Sequence, residues 1–102
     1  KRLDLEDNQL TSLPNSIGKL ANLTYLNLTN NKLSELPLSL FDLSRLKILS
    51  LANNKIKTLP DNVELLTNLT KLWLDNNPIA NSLSDRERIT KLVSINCKIR
   101  WS

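Results

Sequence analysis

The stretch Leu23-Thr24-Tyr25-Leu26-Asn27-Leu28-Thr29-Asn30-Asn31-Lys32-Leu33-Ser34-Glu35-Leu36-Pro37-Leu38-Ser39-Leu40-Phe41-Asp42-Leu43 decides the fold, because its pattern recurs on both sides. Asn8, Asn31, Asn54 and Asn77 stand 23 residues apart. Leu3, Leu26, Leu49 and Leu72 keep the same step, as do Leu5, Leu28, Leu51 and Leu74, and then Leu10, Leu33, Ile56 and Ile79. Leu13, Leu36 and Leu59 each precede a proline (Pro14, Pro37, Pro60), and Ile17, Leu40 and Val63 follow in register. Self-similarity at a period of this length marks a stack of equivalent units.

Within one unit, the alternation Leu26-Asn27-Leu28 puts both leucines on one face of a short strand and Asn27 on the other. The prolines then stop a long helix on the return leg. One unit cannot bury its leucines alone, so units stack, strand beside parallel strand, each buried leucine contributing roughly 1.5–3 kcal/mol. Where each strand turns away, backbone groups lose their ladder partners, and an asparagine amide both donates and accepts. Asn8, Asn31, Asn54 and Asn77 are therefore expected to form a buried structural ladder.

The unit L-x-x-L-x-L-x-x-N-x-L-x-x-L-P-x-x-I/L/V-x-x-L resembles the leucine-rich repeat family over residues 1 to about 83, in the variety common to bacterial repeat proteins and some intracellular eukaryotic signalling scaffolds. The resemblance implies an α/β right-handed solenoid with short parallel strands on a concave face and a mostly irregular or 3-10 convex side. Residues 1–83 read as four repeats, the first incomplete and without an N-terminal cap, which leads us to expect a longer natural protein.

Residues 84–102 read as a C-terminal cap within the same domain. Ser84-Asp85-Arg86-Glu87 has capping-box spacing, and Ile89, Leu92 and Val93 share a helical face, predicting a helix over about 85–93. Glu87 and Lys91 form a supportive i, i+4 pair. Ile95, Cys97, Ile99 and Trp101 alternate with polar residues, predicting a closing strand over about 95–101 with one face buried. This order resembles the terminal cap of bacterial leucine-rich-repeat proteins. Cys97 is expected as a small buried apolar residue, no histidine being present to activate it.

Composition narrows function. A chain of 102 residues with 40% apolar and 24% charged residues suits one soluble domain. One cysteine excludes an internal disulfide and the disulfide-stapled caps of small extracellular domains. The formal charge of +4 comes from scattered basic residues mixed with acids, a pattern that argues against nucleic acid. No run approaches the roughly 20 apolar residues of a membrane span. The cap resemblance points to a bacterial source and leaves secreted, cell-surface and cytoplasmic placement open.

The catalytic inventory is poor, with no histidine, no phosphate-cradling glycine loop and no metal-spaced cluster. Asp4, Glu6 and Asp7 lie close together but on an open surface, where they remain ordinary acids. No cofactor, metal or catalytic residue is expected. Function is assigned to the outward strand rows obtained by stepping 23 residues: Arg2, Tyr25, Ile48, Lys71; Asp4, Asn27, Ser50, Trp73; Glu6, Thr29, Ala52, Asp75. From these we take Asp4, Glu6, Tyr25, Asn27, Ile48, Ser50, Lys71, Trp73 and Asp75 as partner-binding residues, with Tyr25, Ile48 and Trp73 as anchors. Asn30, Asn53 and Asn76 serve either that surface or the turns. The sequons at Asn22, Asn27 and Asn68 would be glycosylation acceptors in a eukaryotic secretory pathway, but we read them as products of the template, in which Asn-Leu recurs where units meet, and a sugar on Asn27 would block the strand surface.

The reading is a non-catalytic scaffold that binds a protein or peptide. The alternatives are a recognition module of a larger signalling, effector or cell-surface protein and a self-assembling structural component. Oligomeric state is open.

Overall fold

A computed structural model describes all residues, Lys1–Ser102. Five three-residue strands, β1 (Arg2–Asp4), β2 (Tyr25–Asn27), β3 (Ile48–Ser50), β4 (Lys71–Trp73) and β5 (Lys98–Arg100), form one parallel sheet in chain order. The register pairs Leu3 with Leu26, Leu26 with Leu49 and Leu49 with Leu72, so the 23-residue step becomes the inter-strand step. The ladder runs beyond the strands: Leu28 N–H donates to Ser50 O at 2.8 Å and Asn30 N–H to Ala52 O at 3.0 Å. The fold is a leucine-rich-repeat solenoid.

Each coil leaves the sheet through one residue in the left-handed region, Asp7, Asn30, Asn53 and Asn76, with φ of 61°, 58°, 57° and 58°. Asn and Asp are the residues other than Gly that tolerate this conformation best. That settles Asn30, Asn53 and Asn76 as turn residues. The next asparagine closes the turn. Asn54 Nδ2 donates to Leu28 O, Leu51 O and Ala52 O at 2.9, 3.0 and 3.2 Å, while its Oδ1 accepts from Leu33 N–H at 3.0 Å. Asn31 and Asn77 repeat the set. Asn8 does not: it is exposed and donates only to Leu5 O and Glu6 O, so the buried ladder has three members. Burial of such an amide needs a preceding coil to supply an N–H and a carbonyl, and none lies before Asn8 in this structure.

On the return leg Pro14, Pro37 and Pro60 sit extended ahead of 3-10 turns at Asn15–Lys19, Leu38–Asp42 and Asp61–Leu65. Leu20, Leu43 and Leu66 then adopt φ near −80° with ψ of 64°, 70° and 66°. This is the inverse γ-turn, and its i→i+2 bond is present each time, as in Ser44 N–H to Asp42 O at 2.8 Å. Between sheet and return leg lies one core of stacked leucines, joined by the fully buried Phe41.

Helix α1 spans Leu83–Leu92, and its N-cap is Ser82, whose hydroxyl accepts from Asp85 N–H at 3.3 Å. The capping box expected at Ser84 therefore lies inside the first turn. The fourth 3-10 turn, Pro78–Asn81, delivers the chain to the helix two residues early. Ile89 is fully buried and Val93 nearly so, covering the end of the core. No Glu87–Lys91 ion pair forms; Arg88 instead fastens the helix to the third coil through Asp61 Oδ1 (2.7 Å), Leu59 O (2.6 Å) and Thr58 Oγ1 (3.1 Å), and is braced within the helix by Asp85 Oδ1 (3.0 Å).

The closing strand is shorter than expected, and Ile95 is 98% exposed. Ser94-Ile95-Asn96-Cys97 is a turn, closed by Cys97 N–H to Ser94 O at 2.8 Å, which points Ile95 outward. Cys97, Ile99 and Trp101 keep the alternation and pack half-buried on the core. Burial pushes the Cys97 thiol up to about 11.

Candidate protein-binding surface

The concave face is built by the residues that alternate with the buried strand leucines, so period two fixes which side chains reach it. The register brings Arg2, Tyr25, Ile48 and Lys71 into one row and Asp4, Asn27, Ser50 and Trp73 into the next. Beta-strand β5 extends both: Lys98 pairs with Lys71 and Arg100 with Trp73. These two cations belong to the face although sequence stepping missed them, because the step from β4 to β5 is 27 residues (Lys71 to Lys98).

Tyr25, Ile48 and Trp73 are half-buried, and the two aromatic rings are covered by cations from the face itself. The Arg2 guanidinium lies 3.8 Å from the Tyr25 ring centroid, and that of Arg100 lies 4.5 Å from Trp73. Asp75, mostly buried, accepts from Arg100 Nε at 3.0 Å and from a second guanidinium nitrogen at 3.5 Å. Asp4, Glu6 and Lys71 are exposed.

Two of the nine residues assigned from sequence do not present a free surface. Ser50 is fully buried, its hydroxyl 2.6 Å from Thr29 Oγ1. Asn27 is nearly so, donating to Glu6 Oε1 at 2.9 Å and accepting from Thr29 N–H at 3.1 Å. Short polar side chains in the middle strands are roofed by their longer neighbours one coil away, a contact that the period of a single strand cannot reveal. Ala52 is also buried.

A shallow cleft of about 250 Å³ opens at the β4–β5 end, lined by Lys71, Trp73, Lys98, Ile99 and Arg100. Charge is segregated along the face. Asp4, Glu6 and Asp7 outweigh Arg2 at β1, the middle strands carry no charge, and Lys71, Lys98 and Arg100 outweigh Asp75 at the other end.

The family model for the leucine-rich repeat region matches residues 1–101. The chain belongs to the leucine-rich repeat family. Among solved structures it is similar to a leucine-rich-repeat protein of Leptospira interrogans, with 45% identity and a TM-score of 0.91 over 97% of this chain. The chain spans 24% of that protein's length. A search of curated proteins returned no match. As a leucine-rich repeat the chain is a protein-interaction module of a fold that is typically non-catalytic. The Leptospira relative is consistent with a bacterial origin. No helix is long and apolar enough to cross a membrane.

Proposed function

We propose that this leucine-rich repeat binds a protein or peptide partner on its concave strand surface and catalyses no reaction. The observation that carries the reading is the group of half-buried Tyr25, Ile48 and Trp73 on β2–β4, the first two neighbours in one row and the third in the next, flanked by opposite charges at the two ends of the sheet. Rigid aromatic anchors amid polar neighbours are the usual composition of an interface centre. Their rings are held in place before binding, by Arg2 on Tyr25 and by Arg100 on Trp73, so little side-chain entropy remains to be lost. The three left-handed asparagines and the asparagine ladder serve the backbone, which leaves the strand rows as the variable surface on a rigid frame.

The test is partner capture from the native source with the wild-type chain and with a Tyr25→Ala, Trp73→Ala double variant, after circular dichroism shows that both fold alike. Loss of partners in the variant is the expected result. Equal capture by both proteins overturns the reading and moves binding to the convex side or the cap. Sedimentation at rising concentration identifies a second copy as the occupant if the mass doubles for wild type alone.

A further inference from the structure

The cationic end of the concave face brings three features together. Lys71 and Lys98 sit side by side in register, both exposed and with no carboxylate within 4 Å. Arg100 is fixed between Asp75 and the Trp73 ring. Its Nε–H and one terminal N–H are engaged by Asp75, leaving three of its five N–H donors on a half-exposed guanidinium. A guanidinium whose plane is already set loses little freedom when it accepts a carboxylate. Trp73 and Ile99 floor the cleft between these cations.

We infer that this β4–β5 corner holds the carboxylate side chains of an acidic segment of the partner, an assignment that rests on the concave-face reading above. The opposite end of the face sets the partner's polarity. Asp4, Glu6 and Asp7 repel an extended polyanion and attract basic residues, so the matching segment is acidic over β4–β5, neutral over Ile48 and Tyr25, and basic over β1. Four inter-strand steps of about 4.8 Å separate β1 from β5, roughly 19 Å, which about six extended residues span. A single-stranded nucleic acid fits less well. It calls for a basic groove with several stacking aromatics, whereas here the acidic end faces the backbone path and Tyr25 is already covered by Arg2.

The experiment uses the full chain at low salt with triglutamate as probe, short enough at about 10 Å to cover β4–β5 without reaching the acidic end, followed by amide and indole NMR shifts. Shifts are expected at Lys71, Trp73, Lys98 and Arg100, and the Lys71→Glu, Lys98→Glu double variant should bind roughly tenfold or more weakly. A Lys57→Glu, Lys91→Glu variant makes the same charge change away from the face and should stay within about twofold of wild type. Equal weakening in both variants, or shifts spread over the convex side, overturns the inference. Tighter binding of a three-nucleotide oligodeoxyadenylate than of triglutamate overturns it in favour of nucleic acid. Retention of a captured partner by the Lys71→Glu, Lys98→Glu chain, with loss in the Tyr25→Ala, Trp73→Ala chain, sinks this inference alone and leaves the concave-face reading standing.

Discussion

Replacing Asn54 by alanine takes away one acceptor and one two-hydrogen donor from the junction of the second and third coils, and the structure says which neighbours are stranded. Leu28 O and Leu51 O each keep a partner, because Asn31 and Asn77 also donate to them. Ala52 O keeps Asn30 N–H. Leu33 N–H keeps nothing: Asn54 Oδ1 is its acceptor, and Leu33 is fully buried. An orphaned buried N–H costs about 1–3 kcal/mol, and each donor bond lost costs a further net ~0.5–1.5 kcal/mol. Partial compensation by the neighbouring asparagines brings the expected total to about 2–4 kcal/mol. Asn8→Ala removes a similar side chain where water replaces it, and should cost less than about 1 kcal/mol. Urea unfolding followed by far-ultraviolet circular dichroism measures both, with a lower midpoint and an unchanged slope expected for Asn54→Ala. If the two variants fall within about 0.5 kcal/mol of each other, the ladder is not what satisfies the turned-in backbone, and the reasoning fails.

Four further outcomes follow from the structure. Arg88→Ala should destabilise the chain by about 1–2 kcal/mol in thermal melts, mainly through the Leu59 carbonyl and Asp85, since Asp61 is 73% exposed and an ion pair there is worth little. The hydrogen bond from Arg88 holds the Asp85 carboxyl below its ordinary range, so its stabilising contribution is complete above about pH 4 and fades as pH falls through the lowered folded value; Asp85→Asn should flatten that part of the stability–pH curve, and an unchanged curve refutes the assignment. Gly18→Ala drives a methyl into the Ser39 carbonyl oxygen, which is held in place because Ser39 Oγ donates to Asn15 O at 2.6 Å, and should lower stability by about 1–3 kcal/mol in the same melts. Because burial disfavours its thiolate, Cys97 should react with a disulfide reagent at pH 8 about two orders of magnitude more slowly in the folded chain than in urea; equal rates would show the thiol to be free of the core.

The amino-acid sequence alone determined the solenoid, because the information is local and repeated. A leucine at one position of the template predicts its counterpart in every coil, and the proline and asparagine positions prescribe return leg and turn by their own backbone chemistry. It also determined which side chains stand in the strand rows, since alternation along three residues is enough to place a side chain on one face. Tertiary structure decided what each coil does to its neighbours. Asn27 and Ser50 are outward by alternation yet closed off by Glu6 and Thr29 from the adjacent coils, and Asn8 fits the template yet is exposed in this structure, where no coil is stacked before it. The cap shows the same limit, for the chain reaches α1 through an extra 3-10 turn and returns to the sheet after 27 residues, so neither Ser82 as cap, Arg88 as clasp nor Arg100 as part of the concave face sits at a position the period marks. Periodicity encodes contacts between equivalent positions; contacts between non-equivalent ones depend on side-chain length and on the path between coils, and those exist only once the coils are stacked.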